Sequence, residues 1–379
     1  MTVTRPRSFD FADYKTLCRR NKLNSFLTEF LEKNGYIRTE VNSLISESNL
    51  PFPTKKSERY TNSYKLIDSD GSLLLMPDDI MVQILTDMRL TSEISSRAFS
   101  IKNCYSFAEK GIYRNLPQIG LMLFGEDNVA AEAEAVSLAT SLADLLKIYD
   151  YTINVNDTRI LSGVAKVYRQ DNDKAAIKCM LAGELRSEMD HACVTMLSSI
   201  SNVKGQITDI KDIADKVDNK ESINGLSNLL SLSELLHDYD CERNVIYHTG
   251  YLGMSDYEEG FVFNLVADNQ LILHGGRYLI KFENETLFGI GIKINYAALF
   301  KAFYSDNEVK EGAFDVVVGT GNTNVSLIKT RKIKNSFMES GLKVNVLYNK
   351  SMEEVGAYSK KMGIESAIFV DNHGNIEYI

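Results

Sequence analysis

Residues 173–240 carry helical periodicity and hold no strand-like run longer than three residues, yet strand-like runs stand on both sides of them. A sheet whose strands flank such a stretch is discontinuous in sequence, and the stretch is a helical insertion into it. Before the insertion come Tyr36–Val41, Tyr64–Ile67, Leu73–Leu75, Cys104–Phe107 and Leu116–Phe124; after it come Asn244–Tyr247, Gly260–Ala267 and Leu271–His274. Asp68–Gly71 and Ala267–Gln270 have the residues of hairpin turns, so the spacing predicts an antiparallel sheet. Helices are predicted over Tyr14–Asn34, closed by Gly35, over Asp78–Met88, and over Glu126–Ile148 with its acidic first turn.

The tail changes pattern again. Phe314–Val318, Leu342–Leu347 and Ala367–Val370 read as strands, alternating with helices over Val325–Glu339 and Ser351–Met362. That β-α-β-α-β order predicts a small parallel or mixed α/β domain. The expected organisation is a core over 1–311 with the insertion at about 173–240, then a C-terminal domain over 312–379. A chain of 379 residues fits two or three domains at roughly 150 each. Gly319–Asn324 follows the first tail strand but lacks both the lysine of a phosphate-binding loop and the GxGxxG spacing. It reads as a plain strand-to-helix connection.

Composition narrows the function. Forty-two Lys and Arg against 51 Asp and Glu leave a formal charge of −9, which opposes a role built on gripping nucleic-acid phosphates. Lys329, Arg331, Lys332 and Lys334 cluster on the first tail helix, but no aromatic platform accompanies them, so no nucleic-acid partner is expected. Cys18, Cys104, Cys179, Cys193 and Cys241 form no CxxC pair. No structural zinc, other metal or cofactor is expected, and free thiols fit a reducing, cytoplasmic setting. The His191/Cys193 pair reads as helix packing and His274 as a strand residue. The N-terminus shows no apolar signal region and no run of 18 apolar residues occurs, so no membrane role is expected.

Several stretches, in order, resemble the histidyl-tRNA synthetase family of class II synthetases. Gly35–Val41 is similar to the family's first motif, which forms the dimer. Tyr64–Gly71 leading into Leu75-Met-Pro-Asp78 resembles the hairpin that ends in "LRPD" or "LRPE". Gly111–Gly120, Gly125 and Glu132-Ala-Glu134 resemble the second half of motif 2 and the helix after it. Gly275-Gly-Arg-Tyr278 is similar to the "GGRYD" loop, and Phe288–Ile292 to the start of motif 3. The resemblance implies an α+β fold: a class II aminoacyl-tRNA synthetase-like antiparallel sheet with flanking helices and a helical insertion. It also implies a small C-terminal α/β domain, a shortened form of the anticodon-binding domain.

The departures fall on charge. Adenylate formation must neutralise ATP phosphates, and arginines do this because the guanidinium stays charged and binds oxyanions in a fork. Ala108 stands where the motif 2 arginine belongs, and Asn295 and Tyr296 where that of motif 3 belongs. Leu252–Gly260 lacks the arginine of "RGLDYYTG" and keeps only Asp256 and Tyr257. Met76 replaces the arginine of "LRPD", and Met122 a carboxylate of the amino-acid pocket. Removing one oxyanion stabiliser costs about 10²–10³ in rate, and such losses compound.

A synthetase fold without its chemistry resembles the regulatory-subunit family of the short-form ATP phosphoribosyltransferase, which serves the first step of histidine biosynthesis. That resemblance implies no catalytic residue of its own, allosteric coupling to a short-form catalytic subunit, and a homodimer within a hetero-octamer. The alternatives are a catalytically dead synthetase paralogue with another partner, and a divergent active histidyl-tRNA synthetase. The candidate histidine pocket comprises Asp78, Gln118, Tyr257, Arg277 and Arg114. Asp78 would hold a ligand ammonium and Gln118 would add a neutral contact.

Overall fold

The computed structural model describes residues 14–50, 63–90, 97–106, 115–170, 174–182, 190–255, 257–281, 286–306 and 314–379. In chain order its first elements are α1 (Tyr14–Lys33), β1 (Ile37–Arg38), β2 (Ile45–Ser46), β3 (Tyr64–Ile67), β4 (Leu73–Met76) and α2 (Ile80–Leu90). Then follow β5 (Arg97–Tyr105), β6 (Asn115–Phe124), α3 (Val129–Leu145), β7 (Tyr151–Asp157) and α4 (Arg159–Val167). The insertion holds α5 (Lys174–Leu181), α6 (His191–Ser201), the two-residue β8 (Lys204–Gly205), α7 (Ile207–Lys211) and α8 (Lys220–Asp238). The core resumes with β9 (Val245–His248), β10 (Glu258–Ala267), β11 (Gln270–Lys281), β12 (Thr286–Ile294) and α9 (Tyr296–Asp306). The tail is β13 (Val316–Thr320), α10 (Asn324–Glu339), β14 (Val344–Tyr348), α11 (Met352–Met362), β15 (Ser366–Val370) and β16 (Ile376–Tyr378).

Two compact units divide the chain. One runs from Thr28 to Ser305; the other contains the tail strands and takes the first part of α1, up to Leu27. The boundary expected at 311/312 falls among residues 307–313, outside the described ones.

The larger unit is organised by a nine-stranded sheet in the order β1-β5-β6-β12-β11-β10-β7-β9-β8. From β5 to β7 every pairing is antiparallel, as expected. The two flanks differ: β1 runs parallel to β5, and β7 parallel to β9. Parallel neighbours need a long crossover, and the helices between β7 and β9 supply one of the two that make the sheet mixed. Of the strand expected over 36–41, only Ile37–Arg38 pairs. β7 and α4 have no counterpart in the sequence expectations; Asn154, Asn156 and Asp157 are all buried, which hides the strand's apolar pattern.

The run expected to end at His274 continues to Lys281, so Gly275-Gly-Arg-Tyr278 is a strand interior rather than a loop. The glycines make this possible. A Cβ on Gly275 would lie 2.3 Å from the carbonyl oxygen of Gly291, and one on Gly276 would lie 2.6 Å from that of Phe261. At the turn before β11, Asp268 and Asn269 both have positive φ, as a two-residue hairpin requires.

Helices cover the sheet on both faces. Ile80, Met81, Ile84 and Leu85 of α2 share a core with Ala98, Met122, Phe124 and Tyr278. α3 lies on the opposite face, against β10, β11 and β12, and α8 packs on it. Asn128 starts α3 by accepting the Ala131 amide at 2.9 Å. The tail sheet has the order β14-β13-β15-β16, its first three strands parallel and β16 antiparallel. Ile333 and Phe337 of α10 pack beside Val316 and Val318, whereas Tyr358 and Met362 of α11 pack beside Val317 and Ala367. In the Gly319–Asn324 segment, Gly319 and Thr320 end β13, Thr323 caps α10 and Asn324 begins it.

Overpacking costs about 1–3 kcal/mol, depending on what must move. Gly275→Ala meets a backbone carbonyl and is expected at the upper end of that range. Gly291→Ala meets the flexible end of Met81 at 2.8 Å and is expected at the lower end. Urea unfolding of the two variants, compared at equal m, reads the difference.

Candidate functional site

Alternation along the strands sorts the candidate residues by face. His274, Gly276 and Tyr278 point to the α2 face, opposite Lys293, Gly291 and Gly289 of β12, and that face continues into Gly120 and Met122 of β6. Arg277 lies between Gly276 and Tyr278 and points the other way. The structure therefore brings Asp78, Gln118 and Tyr257 together at one end of α2 and leaves Arg277 across the sheet. Arg114, Ala108 and Asp256 lie outside the described residues.

Gln118 is committed to the backbone. Its Nε2 donates to the carbonyl of Asp78 at 2.7 Å, and its Oε1 accepts the Ile80 amide at 3.1 Å. Both amide ends thus hold the start of α2 in place, where a neutral contact to a ligand was expected. Burial, then the neighbouring Asp79 charge, push the Asp78 carboxyl above the usual carboxylate range.

Of the two adjacent carboxylates, the one that engages Lys293 is Asp79, which is not among the candidates named from the sequence. Its Oδ1 accepts the Met81 amide at 3.0 Å and the Lys293 ammonium at 3.2 Å; its Oδ2 accepts the Tyr257 hydroxyl at 3.2 Å. Burial opposes its ionisation, but Lys293 and the Met81 amide outweigh that, and the group sits below its ordinary value. Lys293 is raised despite its burial, held by the Asp79 charge. One signal was legible: Gly289, Gly291 and Lys293 alternate on a single face of an otherwise apolar strand, so the lysine had to meet a carboxylate there.

A second cluster lies on β10, β11 and α5. Glu258 is buried, and its Oε2 accepts the amides of Met254 and Ser255 at 3.0 Å each. Lys174 of α5 approaches it at 3.6 Å and donates to the Ser255 carbonyl at 2.9 Å. His274 Nδ1 stands 3.6 Å from Glu258 Oε1, beyond hydrogen-bond reach. Burial works against the Glu258 charge, yet His274 and Lys174 hold it below the ordinary range. Glu259, next in sequence, faces solvent, as alternation requires.

Arg277 belongs to the α3 face. Its Nη1 meets Asp127 at 2.8 Å and its Nη2 bonds Glu132, whose other oxygen accepts the Asn228 side chain at 2.7 Å. One arginine thereby ties β11 to α3, and through Asn228 to α8. Glu132 is fully buried, and burial pushes its carboxyl up to about 7 against the pull of Arg277 and Asn228. Arg97 of β5 also turns to α3, forming a two-pronged pair with Glu134 at 2.9 and 2.7 Å. Met122 is buried in the α2-side core where a pocket carboxylate was expected.

The arrangement can hold charge in place, but it presents no guanidinium on the α2 face from Arg97 or Arg277. A family model described as histidyl-tRNA synthetase matches residues 9–295. The histidine–tRNA ligase of Pyrococcus furiosus is 24% identical over 81% of this chain and 77% of its own length. The ATP phosphoribosyltransferase regulatory subunit of Bacillus cereus is 21% identical over 92% of this chain and 87% of its own. That of Halothermothrix orenii is 23% identical over 85% and 84%. A crystal structure described as an ATP phosphoribosyltransferase regulatory subunit/histidyl-tRNA synthetase from Bacillus halodurans superposes with a TM-score of 0.79 at 14% identity, over 98% of this chain and 99% of that one. Histidyl-tRNA synthetase from Nostoc gives the same TM-score at 14% identity, over 100% of this chain and 97% of that one. The fold is that of class II synthetases.

Breaking a buried ion pair costs about 3–5 kcal/mol, whereas an exposed one is worth about 0–1. Arg277→Met is therefore expected to destabilise strongly. Arg97→Met is expected to cost little, because that pair is a third exposed (34% and 36%). Chemical denaturation checks both. A folded Glu132 keeps its proton to about 7 and an unfolded glutamate only to about 4.5, so the stability it contributes is full below that lower value and lost as pH rises through the upper one. Glu132→Gln is expected to flatten the fall in melting temperature across that window.

Proposed function

The chain belongs to the histidyl-tRNA synthetase family, and from that premise we propose that it is a non-catalytic regulatory subunit of ATP phosphoribosyltransferase. The observation that carries this reading is electrostatic. Arg97 of β5 and Arg277 of β11 are both spent on carboxylates of α3, and the α2 face holds Met122, a lysine paired with Asp79, and Lys102, which donates to the Val41 carbonyl. ATP phosphates and an attacking carboxylate need fixed cations at the reacting centre. By sequence, Ala108, Asn295 and Tyr296 offer none at the family's positions.

The relatives support a role beside a catalytic partner, since two of those named above are regulatory subunits over most of this chain. On this reading the partner is a short-form catalytic subunit, the chain pairs with a second copy within a hetero-octamer, and the complex works in the cytoplasm. Among the described residues no helix is long and apolar enough to cross a membrane. Feedback by histidine would pass through the catalytic subunit or the interface, because both ends of the Gln118 amide are taken up by backbone at the start of α2. The Pyrococcus relative favours a second reading, a divergent active ligase. The missing arginines weigh against it.

Mixing the purified chain with the short-form catalytic subunit of the same genome tests the proposal. Phosphoribosyl-ATP formation from ATP and phosphoribosyl pyrophosphate is expected to rise about tenfold or more, which is 1.4 kcal/mol or more of barrier. An unchanged rate together with no complex by gel filtration overturns the regulatory reading.

A further inference from the structure

The outer edge of a sheet is a ladder of unpaired N–H and C=O groups, and proteins blunt it with charge, proline, bulges or brevity. The edge strands among the described residues follow that rule with one exception. β1, β3, β8 and β16 carry Arg38, Lys65, Lys204 and Glu377, and β2 is two residues long. β14 reads Val-Asn-Val-Leu-Tyr, with no charge, no proline and an unbroken register on β13. The Val316 amide donates to the Lys343 carbonyl at 3.2 Å, so alternation turns the backbone groups of Asn345 and Leu347 toward β13. Those of Val344, Val346 and Tyr348 point away from the sheet. Val344 packs on the α10 side, and Tyr348, four residues on, shares that face and is 61% exposed.

This edge is positive in a chain whose formal charge is −9. Lys343 and Lys350 bracket β14, and α10, whose Ile333 and Phe337 pack beside Val344, carries Lys329, Arg331, Lys332 and Lys334. Lys350 has Glu354 at 2.8 Å, but the four basic residues of α10 meet no carboxylate at ion-pair distance among the described residues. A second copy of the edge would set like charge against like, and a nucleic acid would leave the outward amides and carbonyls of β14 unpaired. We propose that the β14 edge docks an extended acidic segment of another protein, which adds to the sheet as a further strand with its carboxylates toward α10. Main-chain hydrogen bonds to Val344, Val346 and Tyr348 supply affinity, and the basic residues select the charge of the strand. The proposal goes beyond the regulatory reading and does not rest on it, since it concerns the isolated chain.

The probe is a fluorescein-labelled, end-capped peptide, Glu-Val-Glu-Val-Glu-Val-Glu, followed by anisotropy as the full chain is added. As a strand it presents glutamates on one face and valines on the other. The parent is expected to bind it, to lose affinity as salt is raised, and not to bind the Lys-Val counterpart. Val346→Pro removes an N–H that points away from β13 and keeps the ladder. The fold is expected to survive it, while affinity falls about tenfold or more, or 1.4 kcal/mol. Lys329→Glu/Lys332→Glu, at two exposed positions, is expected to weaken the acidic peptide without lowering the melting temperature. That variant carries the test should the proline variant not fold. No binding by the parent, equal binding of the Lys-Val peptide, or undiminished binding by a folded variant each overturn the proposal. So does a parent heavier than Val346→Pro in sedimentation, which puts a second copy on the edge. Binding of poly-uridylate in place of the peptide overturns it as well, giving the basic helix to nucleic acid.

Discussion

Two missing side chains let α2 settle on the sheet. A Cβ on Gly120 would lie within 2.8–2.9 Å of Met81, Ile80 and Ile84, and one on Gly291 within 2.8 Å of Met81. No ordinary contact is so short: a side chain at Gly120 would press on three residues of α2 at once, whereas one at Gly291 would press chiefly on the flexible end of Met81. Gln118, one face-repeat from Gly120, then fixes the start of the helix through the Asp78 carbonyl and the Ile80 amide. Asp79 is thereby brought over β12 within reach of Lys293, and Met81 and Met122 fill the space between helix and strands.

The same sheet keeps two charge systems apart. On the α2 side, Asp79 with Lys293 and Glu258 with Lys174 and His274 are internally balanced pairs. On the α3 side, Arg277 and Arg97 bind Glu132 and Glu134, tying strands to helix. Catalysis of adenylation needs mobile phosphate charge met by fixed guanidinium charge on one face. Here Arg97 and Arg277 are paired with carboxylates on the α3 side, and on the facing side Lys293 and Lys174 meet Asp79 and Glu258 while Lys102 donates to the Val41 carbonyl. A fold can lose its chemistry this way and keep its architecture, because the apolar layers on both faces do not depend on the lost charges.

Much of the architecture was legible because apolar period and turn residues agree. The Tyr64–Ile67 strand, the Asp68–Gly71 turn and the α10 and α11 helices of the tail stand close to where periodicity puts them. Gly35 ends α1 as expected: the Tyr36 amide returns to the Leu31 carbonyl at 3.0 Å and Gly35 has positive φ. What stayed hidden follows from tertiary context. β7 buries Asn154 against Asn264, a polar pair at 2.8 Å that breaks the apolar alternation. Gly275-Gly276 signals a loop by local chemistry, yet the strand passes through because its neighbours come too close for side chains. β16 is only three residues long. The site divided in the same manner: Tyr257 does reach a carboxylate, but Asp79 rather than Asp78, and Arg277 left the group because strand alternation sends it to α3.

The central claim is that this synthetase fold carries no adenylation chemistry. Histidine-dependent exchange of labelled pyrophosphate into ATP, measured on the isolated chain with a bona fide histidyl-tRNA synthetase alongside, tests it most directly. The account predicts no exchange above the protein-free blank, since losing each of three oxyanion-stabilising arginines removes about 10²–10³ in rate. Exchange that saturates with histidine and ATP, at a rate proportional to the amount of chain added, would contradict it.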